Sequence, residues 1–312
     1  MVCCIQIEGI MSRIVSICLS ATIQRTITFR DIEMQRVNRS EKYRIDASGK
    51  AVNAARVLNQ LDNGCVVTVC PLGEKNAEQF LGLAERDGLE IVGIKTPGYT
   101  RECWTLLDRM RGTTTELVVN EPVENDEYPD CEPKLLKAID ICMKDADAVL
   151  IAGSRPAVWS EGLTAYIARM AKDAGKLLLA DYHGADLERT LAVCTPDIIK
   201  INDEEFRETF GLADYCPDEI LTNAVAEQSR RLNNCVIVTR GTRPTIGALR
   251  GEVSIFPAET VKAVNTTACG DSFSAGFLYE YLAAGNFNEA LAKGTWCAAR
   301  NAELECPGAI KD

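Results

Sequence analysis

Between Asn265 and Phe277 the chain reads Asn-Thr-Thr-Ala-Cys-Gly-Asp-Ser-Phe-Ser-Ala-Gly-Phe, a loop of small residues feeding an apolar helix that continues through Leu282. Such a junction turns backbone N–H groups and the positive end of a helix dipole toward one point, which suits an anion. An aspartate placed there, Asp271, comes within about 3 Å of a bound hydroxyl and can take its proton as the oxygen attacks a phosphoryl group. The amides of Ala268, Cys269 and Gly270 would stabilise the charge developing on that group. The same residues also fit a plain structural part, with Asp271 capping the helix and Gly270 and Gly276 permitting close packing.

The elements that must carry this junction follow a repeating pattern. Short apolar runs at Cys65–Pro71, Ala146–Ala152, Lys176–Asp181, Asp197–Ile201 and Cys235–Thr239 read as strands buried on both faces. Helical periodicity lies between them, at Ala51–Leu61, Glu78–Glu85, Lys134–Met143, Gly162–Ala174 and Glu219–Leu232, with Gly64, Gly88 and Gly175 at the stops. Alternating strands and helices predict a doubly wound, mostly parallel α/β sheet. Two stretches depart from it, about 26–46 and 100–120. Their alternating apolar and polar residues predict antiparallel hairpins forming a small sheet that projects beside the pocket as a lid, a dimer surface or both, with Trp104 and Leu106 packing on the substrate or, the favoured reading, on the lid of a second copy. Asn120–Pro133, with three prolines and several acids, reads as a linker.

Composition narrows the chemistry further. With 312 residues the chain is long enough for a large core, and we expect one domain over 1–312. A net charge of -11 argues against nucleic acid and against anionic membrane surfaces. An anionic ligand then needs a few placed cations or backbone amides. The 14 cysteines show no C-x-x-C pair or Cys/His cluster, and His183 is the single histidine, so zinc sites are not expected. Cys18, Cys65, Cys70, Cys142 and Cys235 read as reduced core thiols of a cytoplasmic protein. No apolar run is long enough to span a membrane. Met1–Ile10 lacks the features of a signal peptide, and Met11 is an equally good start. His183 itself is expected to be structural or solvated.

The segment ending at Phe277 resembles the C-terminal signature of the PfkB carbohydrate kinases, D-T-x-G-A-G-D-x-F-x-A-G-F. A second signature of that family, near G-G-K-G-x-N-x-A, is similar to Ser48-Gly49-Lys50-Ala51-Val52-Asn53-Ala54-Ala55. Gly153-Ser154-Arg155-Pro156 resembles its G-S-L-P turn, Lys200-Ile201-Asn202-Asp203-Glu204-Glu205 its K-P-N-x-x-E, and Thr239-Arg240-Gly241 its T-x-G. The resemblance implies a ribokinase-like three-layer α/β sandwich with a lid, and transfer of a phosphoryl group from ATP, with Mg2+, to a sugar hydroxyl.

Val37-Asn38-Arg39, Thr100-Arg101, Thr115-Glu116 and Asn120-Glu121-Pro122 are most similar to the branch of 1-phosphofructokinases and tagatose-6-phosphate kinases, implying a sugar phosphate as acceptor. On that pattern Asp271 is the general base. Lys50, Asn53 and Arg101 hold the acceptor phosphate, with Gly49, Gln24 and Ser154 beside the sugar. Lys200, Asn202, Thr239, Gly241 and Asn301 lie toward the nucleotide, and Glu205 organises the metal. The chain also departs from the pattern. Gln24 replaces an aspartate that binds sugar hydroxyls, Ser48 and Ala51 replace glycines, Asn265 replaces an aspartate, and Ala268 and Cys269 replace glycine and alanine. These changes leave open a non-catalytic binding member of the family, or a kinase of a free sugar or nucleoside.

Overall fold

Strands that are apolar on both faces need cover on both faces, and that requirement organises this molecule. The computed structural model describes residues 13–40, 42–121 and 128–311. Both candidate starts, Met1 and Met11, the segment Met1–Ile10, and Pro122 in the linker lie outside the described residues. Strands β1 (Ile14–Ile17), β2 (Thr22–Phe29) and β3 (Lys42–Ser48) lead to helix α1 (Lys50–Leu61). Next come β4 (Val66–Gly73), α2 (Ala77–Arg86), β5 (Glu90–Thr96), β6 (Arg101–Asp108) and β7 (Thr113–Val118). The alternating stretch follows with α3 (Glu132–Met143), β8 (Ala148–Ala152), α4 (Leu163–Asp173), β9 (Leu177–Asp181), α5 (Gly184–Val193), β10 (Ile198–Asn202) and α6 (Asp203–Phe210). The chain closes with α7 (Asp218–Leu232), β11 (Cys235–Arg240), β12 (Arg243–Leu249), β13 (Glu252–Phe256), α8 (Cys269–Ala284) and α9 (Phe287–Ala302).

The large sheet has the order β13-β12-β11-β10-β9-β8-β1-β4-β5, parallel from β5 to β11 and antiparallel through β12 and β13. Its strands feed two cores. Ile14, Leu150 and Leu179 face α1, α8 and α9, whereas Val15, Val149 and Leu178 face the layer of α3 to α7. The strand order reverses at β1, and the crevice beyond the C-terminal ends of β1 and β8 is the place where such sheets bind ligands. Helices α8 and α9 approach backbone to backbone. A Cβ on Gly276 would fall 2.6 Å from Cys297 Sγ, and one on Gly294 would fall 2.9 Å from the Phe273 carbonyl oxygen.

The small sheet has the order β3-β2-β6-β7. The β2–β3 and β6–β7 pairs are antiparallel, as the alternation implies, but β2 and β6 pair in parallel, Thr22 opposite Arg101 through Phe29 opposite Asp108. The expectation of hairpin material alone is corrected here. β2 continues from β1 and β6 follows β5, and since β1 and β5 run in the same direction their continuations do too. The first lid strand also begins earlier than residue 26, at Thr22, because Ser20, Ala21 and Thr22 are small residues that give no alternation signal.

Candidate active site

The loop before α8 is held in an unusual backbone shape. Ala268 stands in the left-handed region (φ 67°), a conformation natural to glycine, and the helix starts at Cys269. Around it the side chains of the loop's neighbours fix the backbone. Asn265 Oδ1 accepts from Thr267 N at 3.0 Å while its Nδ2 donates to the Glu305 carbonyl at 3.0 Å, a donation an aspartate could not make. Asn301 is buried, with Nδ2 donating to the Thr267 carbonyl at 2.8 Å and Oδ1 accepting from Gly308 N at 2.6 Å. Both ends of its amide are thus committed to holding the loop. Lid residue Glu116 reaches the same loop, accepting from Thr267 Oγ1 at 2.7 Å.

Asp271 does not cap the helix. Ala268 occupies the capping position without a side-chain bond, and Asp271 points inward from the first turn, 6% exposed. Asn53 Nδ2 donates to Asp271 Oδ2 at 2.9 Å, and Asn53 Oδ1 accepts from Ser48 Oγ at 2.8 Å. Ser48 therefore fixes which way the Asn53 amide faces. Gly49 beside it has φ 118°, and a Cβ there would meet Cys18 Sγ at 2.7 Å, so the turn into α1 must stay glycine. Burial raises the Asp271 carboxyl to about 6, and the charge of Asp181 adds to this against the opposing pull of Lys50, Asn53 and Lys200.

Asp181, at the end of β9, is the hub of the charges. Its Oδ2 receives Lys200 Nζ at 3.0 Å and Ser274 Oγ at 2.6 Å, and its Oδ1 lies 3.6 Å from Lys50 Nζ. Burial alone would raise this carboxyl, but Lys200, Lys50 and Ser274 hold it below the usual carboxylate range. Lys50 also meets Glu205 Oε1 at 3.4 Å. Burial would lower the Lys50 ammonium, yet Asp181, Glu205 and Asp271 outweigh it and hold the group charged above its ordinary value. Lys200 packs against the first turn of α8, where a Cβ on Gly270 would lie 2.9 Å from its Nζ.

Asn202 and Glu205 form a capping box on α6, Glu205 N donating to Asn202 Oδ1 at 2.8 Å and Asn202 N donating to Glu205 Oε2 at 2.9 Å. One Glu205 oxygen is thus spent on the backbone, leaving Oε1 to face Lys50 and, at 3.8 Å, His183 Nε2. Thr239 pairs with Asn202 across β10 and β11, and Gly241 follows at the exposed turn with φ 61°. Ser154 is exposed just after Gly153, whose added Cβ would touch Lys50 Cβ at 3.5 Å. On the lid, Gln24 is buried with Nε2 donating to Thr105 Oγ1 at 2.8 Å, and Arg101 Nε donates to Thr22 Oγ1 at 2.8 Å.

Lys50, Asn53, Asp271, Lys200 and Glu205 therefore converge, Ser154 and Gly49 border them, Gln24 and Arg101 stand on the lid, and Asn301 lies beneath the loop. Sequence reasoning missed Asp181 and Ser274. The signal available was a lone acid ending the apolar run Leu177-Leu-Leu-Ala-Asp181. Among the described residues no cluster of three or more His, Cys, Asp or Glu side chains is built to cage a metal. The oxygens Asp181 Oδ1, buried without a hydrogen-bond partner, and Glu205 Oε1 do fit a hard cation that keeps most of its water, as Mg2+ does.

A helix N-terminus and a buried carboxylate in its first turn, set at the crevice of a doubly wound sheet with a small sheet beside it, are the arrangement of a phosphotransferase of the ribokinase-like fold. The family model described as pfkB family carbohydrate kinase matches residues 13–310, and the chain belongs to that family. It is 28% identical over 267 residues to a 1-phosphofructokinase of Rhodobacter capsulatus, covering 86% of this chain and 83% of the relative. A tagatose-6-phosphate kinase of Staphylococcus epidermidis is 25% identical over 268 residues, with 84% and 83% covered. Among solved structures, the tetrameric inhibited form of phosphofructokinase-2 from Escherichia coli superposes with a TM-score of 0.83 at 19% identity, 94% of each chain covered. Ribokinase from Thermotoga maritima gives 0.70 at 19% identity over 95% of each chain. No helix among the described residues is long and apolar enough to cross a membrane.

Proposed function

We propose that the protein transfers the terminal phosphoryl group of ATP to a hydroxyl of a sugar phosphate, in the manner of a 1-phosphofructokinase or tagatose-6-phosphate kinase, with Asp271 as general base. The observation that carries this reading is Asp271 itself, buried, hydrogen-bonded by Asn53 at 2.9 Å, and raised to about 6 beside the first-turn amides of α8. A base poised near neutrality accepts the acceptor's proton as the new P–O bond forms and the bond to the leaving nucleotide breaks. The amides from Ala268 to Gly270 receive the charge that develops on the transferred group. Lys50, Asn53 and Arg101 hold the acceptor phosphate, with Gly49, Gln24 and Ser154 along the sugar.

Lys200, Asn202, Thr239 and Gly241 border the nucleotide, and Asn301 serves it by fixing the loop. Glu205, with Asp181, would hold Mg2+, which supplies charge neutralisation between the nucleotide phosphates. The lid's outer face, with Trp104 and Leu106, makes a homodimer contact. The test is ADP release with Mg-ATP across a panel of sugar monophosphates and free sugars. Turnover on a phosphosugar that falls about 10²- to 10⁴-fold in Asp271→Asn supports the reading. Turnover that survives the substitution, or that is confined to free sugars, refutes it.

A further inference from the structure

The cation assigned to the acceptor phosphate already has an anion on it. Glu121, just beyond β7, brings Oε1 to 3.4 Å from Arg101 Nε, and the same oxygen accepts a short hydrogen bond from Ser20 Oγ in the turn between β1 and β2. Both partners are largely buried, Arg101 17% and Glu121 20% exposed. The cleft they share with Ala21, Tyr99, Thr100 and Trp159 has a volume of only about 20 Å³, room for one water and no more. With the Arg101 Nε–H given to Thr22 Oγ1, the carboxylate lies against the guanidinium as an ion pair, offsetting the charge a phosphate would meet, and it takes the Ser20 hydroxyl that a phosphate oxygen would use. Lys50, the other cation of the acceptor side, is faced by Asp181 and Glu205 in the same way.

We propose that Glu121 is a specificity-determining residue of the acceptor pocket: its carboxylate holds the place of the acceptor's phosphate on Arg101 and Ser20 and must leave before a phosphorylated acceptor seats. Part of the affinity for the phosphate is thus spent on displacing a built-in competitor, so Glu121 sets how strongly the pocket prefers phosphorylated over unphosphorylated acceptors. The inference rests on the reading of Arg101 as the phosphate-holding residue. It adds that the pocket is tuned against small or poorly fitting anions, which lack the sugar contacts needed to evict the carboxylate.

The experiment measures thermal stabilisation by inorganic phosphate for the wild type, Glu121→Gln, Arg101→Gln and the double variant. Glutamine keeps the size and the Ser20 contact while removing the charge. Glu121→Gln is expected to reach half-stabilisation at about three- to tenfold less phosphate, and Arg101→Gln is expected to remove that gain in the double variant. Equal midpoints in the wild type and in both Glu121→Gln and Glu121→Ala would overturn the proposal, as would a gain that persists without Arg101. The kinetic arm compares KM for a phosphorylated and an unphosphorylated acceptor. A fall confined to the phosphorylated one is expected. If sugar phosphates are turned over and their KM does not move in Glu121→Gln, the inference alone fails. If none is turned over while phosphate binding tightens as stated, the functional reading fails and the role of Glu121 stands.

Discussion

At the scale of single residues the proposed chemistry rests on Asp271, on which opposed electrostatic pressures act. Its folded value of about 6 lies above the ordinary 3.8, so the native state holds the proton more tightly than the unfolded chain. The stability linked to that proton is complete below about pH 4 and is lost as pH rises through about 6. A displacement of about two units corresponds to about 3 kcal/mol. Asp271→Asn is therefore expected to melt at a higher temperature than the wild type at pH 8, with the difference vanishing near pH 4; a constant difference across that range would contradict the assignment. For the active enzyme the same group predicts that kcat/KM falls on the acid side with a midpoint near 6. Lys50, Asn53 and Asp271 were legible in the sequence because two short signatures carry them. Asp181 was not, since one acid ending a strand matches no pattern until Lys50, Lys200 and Ser274 are seen around it. The departures are legible only in part. Asn265 earns its place through a donor that aspartate lacks, whereas Ala268 simply bears a left-handed backbone at a cost of about 1 kcal/mol.

At the scale of elements, the small sheet shows what alternation can and cannot tell. The period of two marked its strands, and burial follows it: Gln24, Thr26, Cys103 and Thr105 are buried, while Arg25, Ile27, Trp104 and Leu106 are half-exposed. Strand direction between β2 and β6 was not legible, because it is inherited from β1 and β5 rather than written in the lid itself. The register aligns Tyr43, Ile27 and Leu106 in one row across the half-exposed face, and Ile45, Arg25, Trp104 and Leu117 in the next. The half-exposed apolar side chains in these rows support the proposed lid contact. Trp104→Asp is expected to convert a dimer into monomers in sedimentation velocity at micromolar concentration. A wild-type chain that sediments as a monomer would rule out the lid contact. The parallel strands of the large sheet and their helices were the most readable elements, since continuous apolar runs punctuated by Gly64, Gly88 and Gly175, all at positive φ, leave little choice of class.

At the scale of the whole molecule, both cores are seeded with thiols. Cys18, Cys65, Cys70, Cys235 and Cys297 are free thiols and fully buried. Burial pushes Cys18 up to about 11 and Cys65 and Cys297 up to about 12, so these side chains are neutral and inert while the protein is folded. Ellman's reagent is expected to label a minority of the thiols at once and the rest only at the rate of unfolding; complete fast labelling without denaturant would contradict the packing. The distribution that makes the native state chemically quiet has the opposite effect on any molecule that opens. Core cysteines freed together become ordinary thiols that can cross-link in pairings the fold never makes, and each such bridge bars the way back. In oxidising surroundings unfolding then works as a ratchet, and the working lifetime of the protein is set by how often it opens rather than by how favourable the closed state is.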